Sequence, residues 1–155
     1  MENPFAQPHE YWMHFALREA EKALHADEVP IGCVIVKDGI VVGKGYNQTE
    51  QLQDPTAHAE MIAITSACGT VESKFLTECT LYVTLEPCPM CAGAIVNSRV
   101  GKVVFGAYDP KAGACGTLYS ITEDKRLNHR SMTLGGVLDH ECGSILKEYF
   151  KKKRT

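Results

Sequence analysis

Long apolar stretches are missing from this sequence: runs such as Cys33-Val34-Ile35-Val36 fall far short of the roughly 18 residues from which a membrane-spanning helix is read. No membrane segment is expected. A basic leader is missing too, since Glu2, Pro4 and His9 precede any apolar stretch, so no secretory signal is expected and the chain is placed in the cytoplasm. No self-similarity at a period of 20–50 residues is visible, which excludes a solenoid or propeller. A tidy disulfide framework is lacking as well, because the cysteines number seven, at 33, 68, 79, 88, 91, 115 and 142. Reduced thiols are the expectation, most of them packing residues, and only Cys88 and Cys91 form a close pair. Compositional extremes are absent: 45% apolar and 23% charged residues argue against a disordered, collagenous or coiled-coil chain. What remains is a chain of 155 residues, read as one domain over 1–155. At that length a compact fold buries roughly 70% of its unfolded surface, so a metal site here needs a reason other than holding the fold together.

The net charge of −3 speaks against nucleic acid, but its distribution does not. Residues 147–155 hold five basic side chains (Lys147, Lys151, Lys152, Lys153, Arg154) and one acidic one (Glu148), a local charge of +4 that leaves −7 elsewhere. A solvated helix end explains such a run, because cations suit the negative end of the helix dipole. Contact with phosphates explains it equally well.

Apolar residues at helical spacing predict a first helix over 8–26, with Trp12, Phe15, Ala16, Ala20, Ala23 and Leu24 on its core stripe. Strands are expected at 31–36 and 40–44, joined through Asp38-Gly39, a hairpin signal. Good helix formers predict a helix over 56–68, with His58-Ala59-Glu60 in its first turn. A strand at 80–85 runs into Glu86-Pro87-Cys88-Pro89, and helical composition resumes over 90–97. A strand at 102–107 then completes a βαβ unit, which predicts parallel pairing. A weaker strand at 132–137 and a last helix over 139–153, with Asp139 as cap, close the chain. The sum is an α/β fold with three layers, α/β/α, around a central mixed five-stranded sheet.

Cys88 and Cys91, at i and i+3, put two thiolates on one helical face. Catalytic zinc sites commonly take three protein ligands and a water. His58 is the natural third ligand, since it occupies the same place one unit earlier, at the start of a helix reached from the sheet. Both helix N-termini would then face the metal and favour anions there. Glu60 is the most informative residue, because a purely structural zinc site has no use for a carboxylate two positions from a ligand. Hydrolysis does, as a base that takes a proton from water and passes it to a departing amine. On a regular helix, however, residues at i and i+2 do not face each other.

His58-Ala59-Glu60 together with Pro87-Cys88-Pro89-Met90-Cys91 resembles the signature of the zinc nucleoside and nucleotide deaminases. Beyond that signature, VPIGCVIV (29–36), GYN (45–47), DPTAHAE (54–60), TLYVTLEPCPMCAGAIVNSR (80–99), VVFGAYDPKAGACGTLYS (103–120) and LNHR (127–130) are similar to the bacterial tRNA-specific adenosine deaminases. The resemblance covers nearly the whole chain. It implies a cytidine deaminase-like fold, a homodimer with one Zn2+ per subunit, and conversion of adenosine to inosine at the wobble position (34) of a tRNA anticodon. In that picture Glu60 moves the protons of a hydrolytic attack on C6 of adenine, and Asn47 hydrogen-bonds the target base or its sugar. Asn47 without the resemblance reads as a turn residue.

A wobble base must leave its stack to reach a buried metal, so the flanking nucleotides need a surface of their own. The loops at 108–117 and 127–130 and the basic C-terminal helix, with Tyr149 and Phe150, are candidates. Asp109 and Lys111 are singled out there as substrate contacts, against the plainer reading of a Pro-containing surface turn. Pro89, Tyr108 and Cys115 depart from the commonest bacterial pattern, and Pro89 also suits deaminases of free bases. Three rivals follow: a zinc deaminase of guanine, cytosine or cytidine; a thioredoxin-like thiol protein built on Cys88 and Cys91; and a binding module whose zinc takes a fourth ligand from Cys79, Cys115 or His129.

Overall fold

The computed structural model describes residues 7–154. Glu2 and Pro4, on which the expectation about a secretory signal rests, lie outside the described residues. Helix α1 (His9–His25) buries Trp12, Ala16, Ala20 and Ala23 of the stripe its sequence spacing predicts, together with Met13 and Glu19, while Phe15 and Leu24 are only partly buried. Strands β1 (Gly32–Lys37) and β2 (Ile40–Tyr46) pair antiparallel, with Lys37 opposite Ile40. Their two-residue loop puts Asp38 and Gly39 at φ 51° and 72°, the left-handed turn that suits the twist of a hairpin. Helix α2 (Ala59–Val71), strand β3 (Thr80–Leu85), helix α3 (Pro89–Asn97) and strand β4 (Lys102–Ala107) follow. A 3-10 turn (Ile121–Glu123), strand β5 (Met132–Leu134) and helix α4 (Asp139–Lys153) complete the order.

The sheet runs β2-β1-β3-β4-β5. Its β2-β1 and β1-β3 pairs are antiparallel, and its β3-β4 and β4-β5 pairs are parallel. Alternation along β1 sends Cys33 and Ile35 into one core with Ala59, Ala63 and Ala67 of α2 and Ala92 and Ile95 of α3. Val34 and Val36 go to the other face, with Trp12, Met13 and Ala16 of α1 and Cys142 of α4. The expected three-layer α/β/α arrangement and mixed five-stranded sheet are therefore present. Among the described residues no helix is long and apolar enough to cross a membrane.

Several boundaries shift from expectation, β2 and α2 each running on by two or three residues at their ends, and three differences carry a physical reason. Helix α2 starts at Ala59, so His58 is its extended cap residue (φ −73°, ψ 154°) and lies outside the first turn. Helix α4 is preceded by Leu138 in the left-handed region, and Asp139 occupies the first turn where its charge suits the dipole instead of capping it. Strand β5 stops at Leu134, because Gly135 packs directly on Phe105 and a Cβ there would lie 2.3 Å from its ring.

Candidate metal centre

The parallel pair β3-β4 and the connection through α3 bring the N-termini of α2 and α3 to one end of the sheet, on one face. Each helix is capped by a residue singled out in the sequence: His58 for α2 and Cys88, at φ −75° and ψ 173°, for α3. Extended cap residues explain how the signature works. A cap side chain reaches over the first turn toward the third helical position, as in a capping box, and so Cys88 meets Cys91. Helical facing rules likewise do not govern His58 and Glu60, because His58 is not helical.

His58 Nδ1 lies 3.6 Å from Cys88 Sγ and 3.5 Å from Cys91 Sγ. All three ligand atoms lie within 4.8 Å of one another. A tetrahedral ion with Zn–S of about 2.3 Å and Zn–N of about 2.1 Å has an N···S edge of about 3.6 Å, so this group fits such an ion. Among the described residues no fourth His, Cys, Asp or Glu joins it. Of the fourth ligands weighed above, His129 Nε2 bonds Val100 O at the start of β4, Cys79 lies just before the start of β3, and Cys115 is buried with its amide on Glu86.

Charge in the group is arranged for anions. A hydrogen bond from Cys91, with further pull from the His58 ring, lowers the Cys88 thiol to about 4 despite its partial burial. The same pairing, with burial, drives the Cys91 thiol upward. The bond to Cys88 raises the His58 ring. Glu60 is 4% exposed, and burial pushes its carboxyl up to about 7.

A pocket of about 240 Å³ opens over the group, lined by Val29, Ile31, Asn47, Thr49, His58, Ala59 and Glu60. It falls below the roughly 300–1,000 Å³ of sites that engulf drug-sized molecules, which suits a single ring system. Asn47 is 6% exposed; its Nδ2 donates to Val29 O at 3.4 Å, and its Oδ1 is buried without a partner. Buried acceptors are nearly always satisfied, so an orphan in a pocket wall marks the place of a ligand donor.

The structure thus gathers His58, Glu60, Cys88, Cys91 and Asn47, and it places Asp109 and Lys111 outside this pocket's lining, on the loop after β4, which is bonded to Glu86 and Pro87 beside Cys88. Asp109 Oδ1 accepts from the amides of Lys111 (2.9 Å) and Ala112 (3.2 Å), the turn that the plainer reading described, and Lys111 is exposed. Loop 127–130 does not flank this site within one copy of the chain. Arg99 Nη1 holds Asn128 O at 2.7 Å and His129 holds Val100 O, at the far end of the six-residue β4, about 20 Å of strand from the metal group. The basic end of α4 lies on the site side, since Lys153 Nζ pairs with Asp27 Oδ1 at 2.7 Å, two residues before the pocket wall at Val29.

Two buried acids had gone unnoticed in the sequence. Glu28, 0% exposed, accepts the amides of Glu50 (3.0 Å) and Gln51 (2.7 Å) and so pins the loop running from Asn47 to His58. Glu86, 2% exposed, does the same for the loop after β4. An acid beside a proline at a strand end carries no sequence signal that separates a buried anchor from a solvated turn.

Comparison with known proteins bears on the identity of the site. The model of the MafB19-like deaminase family matches residues 7–154. A tRNA-specific adenosine deaminase of Bacillus subtilis (strain 168) is 49% identical over 145 residues, spanning 94% of this chain and 90% of that protein. A solved structure from work on A-to-I editing by tRNA:A34 deaminases at the wobble position superposes with a TM-score of 0.84. It is 41% identical and covers 88% of this chain and 99% of its own. A guanine deaminase from Bacillus subtilis has a TM-score of 0.64 at 39% identity, over 72% of this chain and 71% of its own. Likeness of this extent, over a site already assembled from its own residues, puts the chain in the MafB19-like deaminases, with the tRNA-specific adenosine deaminases.

Proposed function

We propose that residues 1–155 form one zinc-dependent deaminase domain that converts adenosine to inosine at the wobble position of a tRNA anticodon. The observation that carries this reading is the convergence of His58, Cys88 and Cys91 beside a buried Glu60, under a pocket with an unpaired Asn47 acceptor. His58, Cys88 and Cys91 hold the metal. A zinc ion bound there would supply a Lewis acid that polarises the attacking water. Glu60 takes a proton from that water and returns it to the departing amine at C6; a carboxyl lifted toward neutrality by burial suits both directions of transfer. Asn47 Oδ1 accepts from the bound nucleoside and orients it, while Val29 and Ile31 supply an apolar wall.

Asp109 and Lys111, together with the basic end of α4, serve the nucleotides around the flipped base, where cations meet phosphates. Such an enzyme works in the cytoplasm. It works as a homodimer: the sequence of α2 is apolar on nearly every side, yet only Ala59, Glu60, Ala63 and Ala67 are buried within one chain. Met61 and Ile62 line an open groove with Leu52, which is 56% exposed. A helix of this kind belongs between two layers, and a second copy supplies the missing one.

The test is direct. Zinc-loaded protein is incubated with an anticodon stem-loop carrying adenosine at the wobble position, and the digest is searched for inosine by mass spectrometry. Inosine at that position alone is the expected result. Its absence in protein shown to hold zinc would turn the assignment to a free-base deaminase, the reading favoured by Pro89 and by the guanine deaminase likeness, with guanine as the next substrate.

A further inference from the structure

Glu86 is one of the few buried acids in the chain and takes no part in the chemistry above. Its carboxylate carries four donors, two on each oxygen. Oε1 accepts the amide of Asp109 (3.1 Å) and the hydroxyl of Thr117; Oε2 accepts the amides of Cys115 (3.1 Å) and Thr117 (3.0 Å). The loop is fitted around it: Gly113 is buried, and a Cβ there would lie 2.5 Å from the Glu86 carboxyl. Ala114 N in turn donates to Pro87 O at 2.8 Å, beside the ligand Cys88.

We propose that Glu86 is a positioning residue that folds the 108–117 loop onto the metal turn and thereby sets the outer wall against which the RNA lies. What the loop presents outward is the Lys111 ammonium and the Tyr108 ring, 55% exposed and held edge-on to Phe105 with centroids 5.1 Å apart. A fixed ring and a cation carried on one loop are groups that take a base and its phosphate. Glu86 touches neither metal nor substrate, and its effect falls on binding. The role in binding rests on the functional reading above; the anchoring of the loop does not.

Glu86→Gln is the informative variant, because an amide keeps the shape but offers one accepting oxygen, and its NH2 then faces two donors. Zinc-loaded wild type and variant are compared by amide hydrogen exchange, zinc content and steady-state kinetics on the stem-loop. We expect the amides of Asp109, Cys115 and Thr117 to exchange about tenfold faster or more in the variant, and those of Glu50 and Gln51, held by Glu28, to be unchanged. Zinc stays at one per chain, KM rises about tenfold and kcat changes by less than about threefold. Unchanged exchange in the loop overturns the anchoring. Loss of zinc reassigns Glu86 to support of Cys88. A loosened loop with unchanged KM and kcat makes it a stability element only. Should Glu86→Gln fail to fold, Thr117→Val removes one of the four donors, the hydroxyl, and leaves the three amides in place, and Thr117→Ser restores it; KM must follow that order. Wild type that makes no inosine refutes the RNA reading, and with it the binding role, while the exchange comparison still decides the anchoring.

Discussion

Glu60 and Cys88 are separable although they sit in one site, since Glu60 lies outside the group of ligand atoms. Glu60→Ala should retain one zinc per chain and lose turnover by roughly 10²–10⁴-fold, the contribution of a positioned proton-transfer group. Cys88→Ala should lose the metal itself, read by metal analysis of the purified protein. A fully active Glu60→Ala enzyme would refute the mechanism. Asn47 allows a different test. Its buried Oδ1 has no protein partner, a situation that costs about 1–3 kcal/mol and that a donor on the bound substrate would relieve. Asn47→Ala should therefore leave the melting temperature unchanged or raised while KM rises about tenfold. A variant that is destabilised with unaltered KM would make Asn47 the turn residue that its sequence context alone suggests.

At the scale of elements, the end of α4 bears on two explanations of one charge run. Lys153 is already paired with Asp27, and the pair is exposed, so replacing residues 151–154 by alanine should change the melting temperature little. If these side chains meet phosphates, each lost contact lowers the salt slope of RNA binding by about 0.7–0.9, with kcat unaffected. An unchanged slope in a filter-binding series would leave a solvated helix end. The elements themselves were legible where periodicity was strong: the stripe of α1, the Asp38-Gly39 hairpin, and the strand-turn-helix through Pro87. They were less legible where tertiary packing set the boundary. Gly135 ends β5 because a ring of β4 occupies the space above it, and His58 stays out of α2 because it serves as its cap. In the site, the metal ligands were legible because two weak motifs each open a helix. Glu28 and Glu86 were not, because a carboxylate acquires its role as an anchor only from loop amides remote in sequence, 22–31 residues away.

For the whole molecule, the two cores decide what the metal contributes to stability. One core packs Ala63, Ala67, Ile95, Leu81 and Phe105 between the sheet and helices α2 and α3, and the other packs Trp12, Met13 and Val34 beneath α1. Neither contains a metal ligand other than through the first turns of α2 and α3, so the chelated protein should remain folded and unfold cooperatively. Zinc held as proposed by His58, Cys88 and Cys91 would nevertheless bind only the native arrangement, because the sulfurs lie 30 and 33 residues from the ring across two helix ends. At free zinc about 100 times its Kd, that linkage stabilises by about 2.7 kcal/mol. For a chain of this size each kcal/mol moves Tm by about 2–4 °C, so removing zinc should lower Tm by about 5–11 °C. The shift should grow with free zinc and vanish in Cys88→Ala. If α2 pairs with a second copy as proposed, the same melting curves depend on concentration, and Met61→Glu on the open face of α2 should halve the mass by light scattering and leave zinc bound. A chelated sample that loses its far-ultraviolet dichroism altogether would show instead that α2 and α3 depend on the metal to pack, and that the apolar core between them is too thin to hold them alone.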